Sequence, residues 1–175
     1  MTGGLTAHVT RSIFIQSASG VIVRRKDKEI RDRTEIEEIL QEARVCRIGL
    51  CDGSVPYCVP MSYCYRDGVI YLHSATEGRK LDILRRNNIV CFEVDTGVEL
   101  IMSERPCKWS MRYRSVIGTG RAYFVDDLEG KREALRCIVR HYSSESGDHD
   151  FTDEELRSVV VIRIEIEEMS GKRSE

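Results

Sequence analysis

Apolar residues along this chain recur with two different spacings, and these spacings separate helical from extended segments. Where apolar residues lie three or four positions apart, the pattern is typical of a helix with one buried face. The helices predicted in this way are Glu35–Arg44, Gly78–Arg86, Asp126 to about His141, and a single turn at Thr152–Leu156. Thr34 and Glu37 have the spacing of a capping box, which predicts that the first helix begins there.

Alternation of apolar and polar residues predicts strands through most of the remaining chain. These strands are Val45–Cys51, Val55–Tyr65, Val69–Ser74, Ile89–Asp95, Arg112–Val125 and Val159–Met169, with Gly97–Met102 as an extension of the fourth or a separate strand. Short turns at Asp52-Gly53 and Asp67-Gly68 predict an antiparallel meander of the first three strands. Because strands mostly follow one another, we expect a mainly β fold, an antiparallel barrel with two or three flanking helices.

Composition limits the class of protein without identifying it. The chain has 175 residues, of which 41% are hydrophobic and 32% are charged, which is typical of one soluble globular domain. Its 27 Lys and Arg residues nearly balance 29 Asp and Glu residues, so a dedicated nucleic-acid binder is not expected. No apolar run approaches the roughly 20 residues that span a membrane, and we predict a cytoplasmic protein.

The seven cysteines show no close-spaced pair of the kind that holds structural zinc. We therefore predict reduced thiols that pack as small apolar side chains. His141 and the Asp148-His149-Asp150 cluster match no compact metal site either, so no metal is expected.

The segment from Tyr71 to Lys80 carries the strongest chemical signal. A predicted strand ends at His73-Ser74, and after a loop of small residues Arg79 and Lys80 fall in the first turn of a helix. Cations are unfavourable there unless an anion is bound, because the free amides and the helix dipole are already positive. A phosphate is the natural anion; the alternative is an ordinary surface charge pair offset by Glu77 and Asp82.

Several segments, in this order and spacing, resemble the pyridoxamine 5′-phosphate oxidase-like FMN-binding split-barrel family, and within it the nitroimidazole-resistance branch. They cover the chain from about Val23 to Met169. The segments are Arg24–Ile30, Val59–Tyr63, His73-Ser74 with Gly78–Asp82 and Asn87-Asn88, Cys91–Val94, and Ser115–Ala122.

The resemblance implies a six-stranded split barrel that forms a homodimer, with one FMN in each of two clefts between the subunits. The flavin-binding domain would span residues 23–170, preceded by an arm or edge strand at 1–22 and followed by a tail at 171–175. FMN would make the protein a flavoprotein, with an oxidoreductase activity on a small molecule of the nitroreductase or pyridoxamine phosphate oxidase kind. A non-catalytic flavin or haem sensor, or an enzyme that uses deazaflavin or haem, remains as an alternative.

The resemblance also implies roles for individual residues. Arg79 and Lys80 would hold the FMN phosphate with help from Ser74, and Ser115 would approach from the partner-facing strand. The backbone of Val59, Pro60, Met61, Ser62 and Tyr63 would face the flavin ring. Pro56 and Pro60 support this, because a strand that contains proline is left partly unpaired.

Two further residues carry a functional and a structural interpretation each. His73 is the candidate catalytic residue, as an orienting group, a proton donor or a haem ligand, or it is a strand-end histidine bonded to backbone. Trp109, the only tryptophan, would stack over the flavin or else pack a loop against the barrel.

Overall fold

The computed structural model of the chain describes residues 23–143 and 149–175, so the predicted arm at residues 1–22 and part of the loop after α3 lie outside it. Its helices are α1 (Arg33–Glu42), α2 (Arg79–Arg86), α3 (Leu128–Tyr142) and α4 (Asp153–Arg157). Its strands are β1 (Glu29–Ile30), β2 (Cys46–Asp52), β3 (Val55–Met61), β4 (Tyr63–Arg66), β5 (Val69–Ser74), β6 (Ile89–Ile101), β7 (Ser110–Val125) and β8 (Val160–Ser174).

The strands form one antiparallel sheet in the order β3-β2-β6-β7-β8-β5-β4, with β1 added to β8. The prediction of a mainly β split barrel with flanking helices is confirmed, but the described part has eight strands rather than six. The predicted meander is wrong, because the run Val55–Tyr65 is broken at Ser62 into two strands. β3 pairs only with β2 and β4 pairs only with β5, so the two lie at opposite ends of the sheet and Ser62 joins them through the chain.

Two apolar cores hold the fold together. The larger one fills the barrel and includes Phe92 and Tyr63, and α1 and α2 contribute Leu40 and Leu81 to it. The smaller one lies between the sheet and the helices α3 and α4, where Leu156 is fully buried. Within the described part, α1 and α2 therefore close the barrel interior, while α3 and α4 cover one outer face.

The helix starts follow capping rules, although not always at the predicted residue. The side chain of Asp32 accepts a hydrogen bond from the Thr34 amide at 2.9 Å, so α1 begins before Thr34 and the predicted capping box at Thr34 is wrong. Glu37 instead accepts hydrogen bonds from Arg33 and from the Tyr65 hydroxyl. A capping box is present at the start of α4, between Thr152 and Glu155.

The last strand is longer than the alternation predicts. β8 continues through Ser174, where it pairs with β7 and with β1, so the predicted tail at residues 171–175 is almost entirely strand. Gly171 lets α1 approach this strand, because a Cβ there would lie only 2.8 Å from the side chain of Ile36.

Gly118 marks a close approach within the protein itself. A Cβ at this position would lie 2.3 Å from the Phe92 ring and 2.5 Å from the Glu168 carbonyl oxygen. The packing of β6 and β8 against β7 therefore requires glycine at this position.

Helix α3 is fastened to the start of β4. Cys64 and Cys137 form a disulfide across 73 residues, so the prediction that all seven cysteines are free is wrong for this pair. The Tyr63 amide donates to the Tyr142 hydroxyl at 3.0 Å, and that hydroxyl donates to the Arg44 carbonyl at 2.8 Å. These links hold α3 against the residues that directly follow Ser62.

His141 adds a pH-dependent contact to this fastening. Its Nε2 lies 2.7 Å from the Ala43 carbonyl oxygen and must donate to it, and its ring packs 4.8 Å from the ring of Tyr63. Burial lowers the pKa of His141, because the charged imidazolium is poorly solvated there.

We expect the free energy of unfolding to fall as pH is lowered through the ordinary histidine range. The unfolded chain takes up the proton at the ordinary pKa of about 6.5, while the folded chain resists it until lower pH. Urea denaturation at about pH 7.5 and about pH 5.5 measures this difference. A His141→Gln variant should show a smaller acid loss, and an equal loss in both proteins would contradict this role of His141.

Candidate functional site

The end of β5 and the start of α2 carry polar groups of which some have no partner among the described residues. The Ser74 side chain is buried, yet its Oγ has no hydrogen-bond partner among the described residues. Gly78, with φ of 130°, turns the chain into α2, and no side chain caps the first amides of that helix. Unpaired buried hydroxyls are uncommon in proteins, so this one points to a group that is supplied from outside the chain.

The two predicted cations lie at this same helix start. Lys80 is half-buried and makes no ion pair within the part of the chain that the structure describes. Arg79 is more exposed; its Nη2 lies 3.5 Å from Asp52 Oδ2, and its guanidinium lies 4.8 Å from the centre of the Tyr57 ring.

These groups fit a phosphate ester. Free amides at a helix start, a cation without a counter-ion and an unsatisfied hydroxyl are the donors that a dianion needs. The residues present therefore match the phosphate of a flavin nucleotide, and the alternative of an ordinary surface charge pair leaves Ser74 unexplained.

The strand predicted to face a flavin ring is an edge strand. β3 pairs on one side with β2, so the backbone groups on its other side have no strand partner within the described sheet. Val59 and Met61 pack toward the barrel core, whereas Pro60 and Ser62 are exposed. Tyr63 is fully buried and its hydroxyl donates to the Leu40 carbonyl at 2.6 Å, so only its backbone could meet a ligand.

His73 is exposed and lies on the other face of β5 from Ser74. Successive residues of a strand point to opposite faces. Leu72 and Ser74 are buried toward the barrel core, and Tyr71, which shares the face of His73, packs against the core under α3. The side chain of His73 therefore lies on the face opposite to that of Ser74, and its catalytic role stays a prediction.

Ser115 and Trp109 lie far from α2 within one chain. On β8, the residue that faces Ser74 is Val160 and the residue that faces Ser115 is Lys172. Twelve residues of extended strand separate these two positions, which is about 40 Å. Trp109 lies further than Ser115 from α2 along β7, in the loop that joins β6 to β7. Its side chain is 45% exposed, and its Nε1 donates to the Ser103 carbonyl.

Asp52 and Tyr57 belong to the site although the sequence did not indicate them. Asp52 is the last residue of β2, and the sequence pattern indicates only a turn there. Tyr57 lies in β3, and the pattern indicates only a strand residue. The β2–β3 register aligns Leu50 with Tyr57, so Tyr57 lies close to the end of β2. Asp52 and Tyr57 therefore both lie beside Arg79 of α2. The sequence signal that could have indicated Asp52 was the acidic residue of the Asp52-Gly53 turn together with the basic residues Arg79 and Lys80 at the start of a later helix.

A family model described as pyridoxamine 5′-phosphate oxidase matches residues 32–173. A solved structure of a candidate 5-nitroimidazole antibiotic resistance protein from Bacteroides thetaiotaomicron is similar, with 37% identity and a TM-score of 0.73, over 83% of this chain and 86% of that chain. A search of the curated proteins finds no match.

Two other solved structures share the fold. An FAD-binding protein from Mesorhizobium loti is 25% identical with a TM-score of 0.60, over 82% of this chain and 96% of that chain. The flavocytochrome Anf3 from Azotobacter vinelandii is 22% identical with a TM-score of 0.76, over 88% of this chain and 72% of that chain. None of the described helices is long and apolar enough to cross a membrane, and no group of three or more possible metal ligands lies together in the described part.

Proposed function

Because the chain belongs to the pyridoxamine 5′-phosphate oxidase family, we propose that it binds FMN and acts as an oxidoreductase on a small molecule. The observation that carries the proposal is the buried Ser74 hydroxyl, which has no partner among the described residues, at the end of the strand that leads to α2; Lys80 in the first turn of that helix likewise makes no ion pair with the described residues. The flavin-binding proteins among the structural neighbours support a flavin nucleotide as the ligand.

The site supports FMN in particular through its charge. A single terminal phosphate carries about two negative charges near neutral pH. Lys80 offers one full charge and Arg79 offers part of one, since Asp52 already pairs with Arg79. This set approaches the charge of one phosphate, which supports a flavin nucleotide with a single phosphate group.

We propose that the flavin ring lies along the open side of β3, near Val59, Pro60, Met61, Ser62 and the backbone of Tyr63. A bound flavin supplies electron or hydride transfer, and the protein supplies binding, orientation and the surrounding charge. Arg79, Lys80 and Ser74 would fix one end of the cofactor. The β3 backbone would provide hydrogen bonds to the ring edge, and the apolar side chains beside it would exclude water from one side.

We propose a homodimer, because Ser115 and Trp109 can meet this site only from a second copy. Ser115 lines a cavity of about 240 Å³ together with Ile117, Arg24 and Lys172. A cavity lined by three cations, Arg24, Arg25 and Lys172, and a buried hydroxyl is suited to an anionic or polar group that a partner presents. The proposal for His73 has less support, since it faces away from Ser74; unchanged turnover in His73→Ala would remove it from the site.

The proposal is tested by titrating the purified protein with FMN and following flavin fluorescence. We expect saturable binding of one FMN per chain, reduction of the bound flavin by a nicotinamide nucleotide or by pyridoxamine phosphate, and reoxidation by a nitroaromatic compound or by dioxygen. Bound flavin that never turns over would support the alternative of a non-catalytic flavin protein. Absence of flavin binding together with a haem Soret band would overturn the FMN assignment.

A further inference from the structure

We propose that Asp52 and Tyr57 are positioning residues that act on the cofactor phosphate through Arg79, and that they act in opposite directions. Tyr57 holds the Arg79 guanidinium at the start of α2, whereas Asp52 competes with the phosphate for it. This inference rests on the proposed binding of FMN at this site, and it assigns roles to two residues outside the predicted set.

Arg79 is held from two sides at once. Its guanidinium lies 4.8 Å from the centre of the Tyr57 ring, within the range of a cation–π contact. Its Nη2 lies 3.5 Å from Asp52 Oδ2, a longer and weaker contact than a charge-assisted hydrogen bond. A flexible arginine side chain loses much entropy when it is ordered. A ring that orders it beforehand reduces this cost at the moment of binding.

Asp52 has a stronger partner elsewhere. Its Oδ1 lies 2.6 Å from Arg86 Nη2, at the other end of α2. When a phosphate draws Arg79 away, Asp52 therefore keeps a counter-ion and the link between β2 and α2 persists. Its carboxylate nevertheless remains near the incoming dianion, and like charges at such distances repel.

The two residues thus have separable effects on binding. Removing the Tyr57 ring leaves the same charges at the site but frees Arg79 to move, so affinity for a phosphate should fall. Removing the Asp52 charge leaves the ring contact and releases Arg79 from competition, so affinity should rise. Loss of folding stability alone would weaken binding in both variants.

The experiment measures dissociation constants of FMN and of riboflavin for the full chain and its variants. In Asp52→Asn we expect FMN to bind about threefold to tenfold more tightly, with a gain that shrinks at high salt. In Tyr57→Leu we expect about threefold to tenfold weaker FMN binding, and in Tyr57→Phe binding close to wild type. Riboflavin affinity should be unchanged in all three, because riboflavin lacks the phosphate.

Matched controls remove equivalent contacts away from α2. Tyr123→Leu removes the ring beside Arg163, and Glu99→Gln removes the partner of Arg112 on the β6–β7 hairpin. Neither should change the ratio of FMN to riboflavin affinity. If Asp52→Asn and Tyr57→Leu both weaken FMN, or both leave that ratio unchanged, while the wild type binds FMN normally, the opposed roles are wrong. A wild type that binds neither flavin would instead overturn the proposed function itself.

Discussion

FMN is expected to bind at least about 100-fold more weakly to the double variant Arg79→Ala, Lys80→Ala than to the wild type. Each cation would make charge-assisted hydrogen bonds to the phosphate, and such bonds contribute about 1.5–3 kcal/mol each. Two of them correspond to at least about a 100-fold change in the dissociation constant. Stability should change little, because the Arg79 ion pair is exposed and Lys80 makes no ion pair among the described residues.

Fluorescence titration and thermal unfolding of the same samples separate binding from folding. Arg85→Ala is the matched control, since Arg85 lies in the last turn of the same helix, where it pairs with Asp82 at 3.0 Å. It should bind FMN within about fivefold of wild type, since surface ion pairs contribute about 1 kcal/mol or less. Riboflavin should bind the double variant and the wild type alike, and equal loss of both ligands would contradict the assignment of these cations to the phosphate.

Loss of the Cys64–Cys137 disulfide is expected to produce the largest change in stability. The disulfide closes a loop across 73 residues. In the loop-entropy model a closure of this length contributes about 4 kcal/mol, and measured values are typically 2–4 kcal/mol. For a chain of this size that corresponds to a fall of about 10 °C in the midpoint of thermal unfolding.

The variant Cys137→Ser, and the wild type treated with a dithiol reductant, should show this fall to a similar extent. Cys107→Ser is the control, because Cys107 is a free and exposed cysteine in the loop after β6. Its unfolding midpoint should match the wild type under oxidising conditions and respond to reductant as the wild type does. Equal midpoints of oxidised and reduced wild type would show that the disulfide adds nothing to stability.

Much of the fold could be predicted because each element repeats a local pattern. Strand β5 and helix α2 were predicted almost residue for residue, since alternation ends at Ser74 and helical spacing begins after Gly78. The hypothesis of an anion site at the start of α2 rests on the same local information. Two cations at a helix start contradict the helix dipole, and this contradiction is visible without any knowledge of tertiary structure.

Features that depend on distant contacts could not be predicted in this way. The alternation of Val55–Tyr65 gives no reason to break the strand at Ser62, because the break arises from which strands the two halves join. The pairing of Cys64 with Cys137 depends on where α3 packs. The roles of Asp52 and Tyr57 depend on the register of β2 with β3, which places them beside a helix that follows later in the chain.

The junction at Ser62 determines how β3 and β4 are joined. Within the described sheet no ladder hydrogen bonds join β3 to β4, and the Tyr63 amide is bonded to a helix side chain instead. Side-chain packing therefore joins β3 and β4, since Tyr63 is fully buried in the same core against which Val59 and Met61 pack. The edge of β3 that is left without ladder hydrogen bonds in the described sheet is the edge along which the flat ring is proposed to lie.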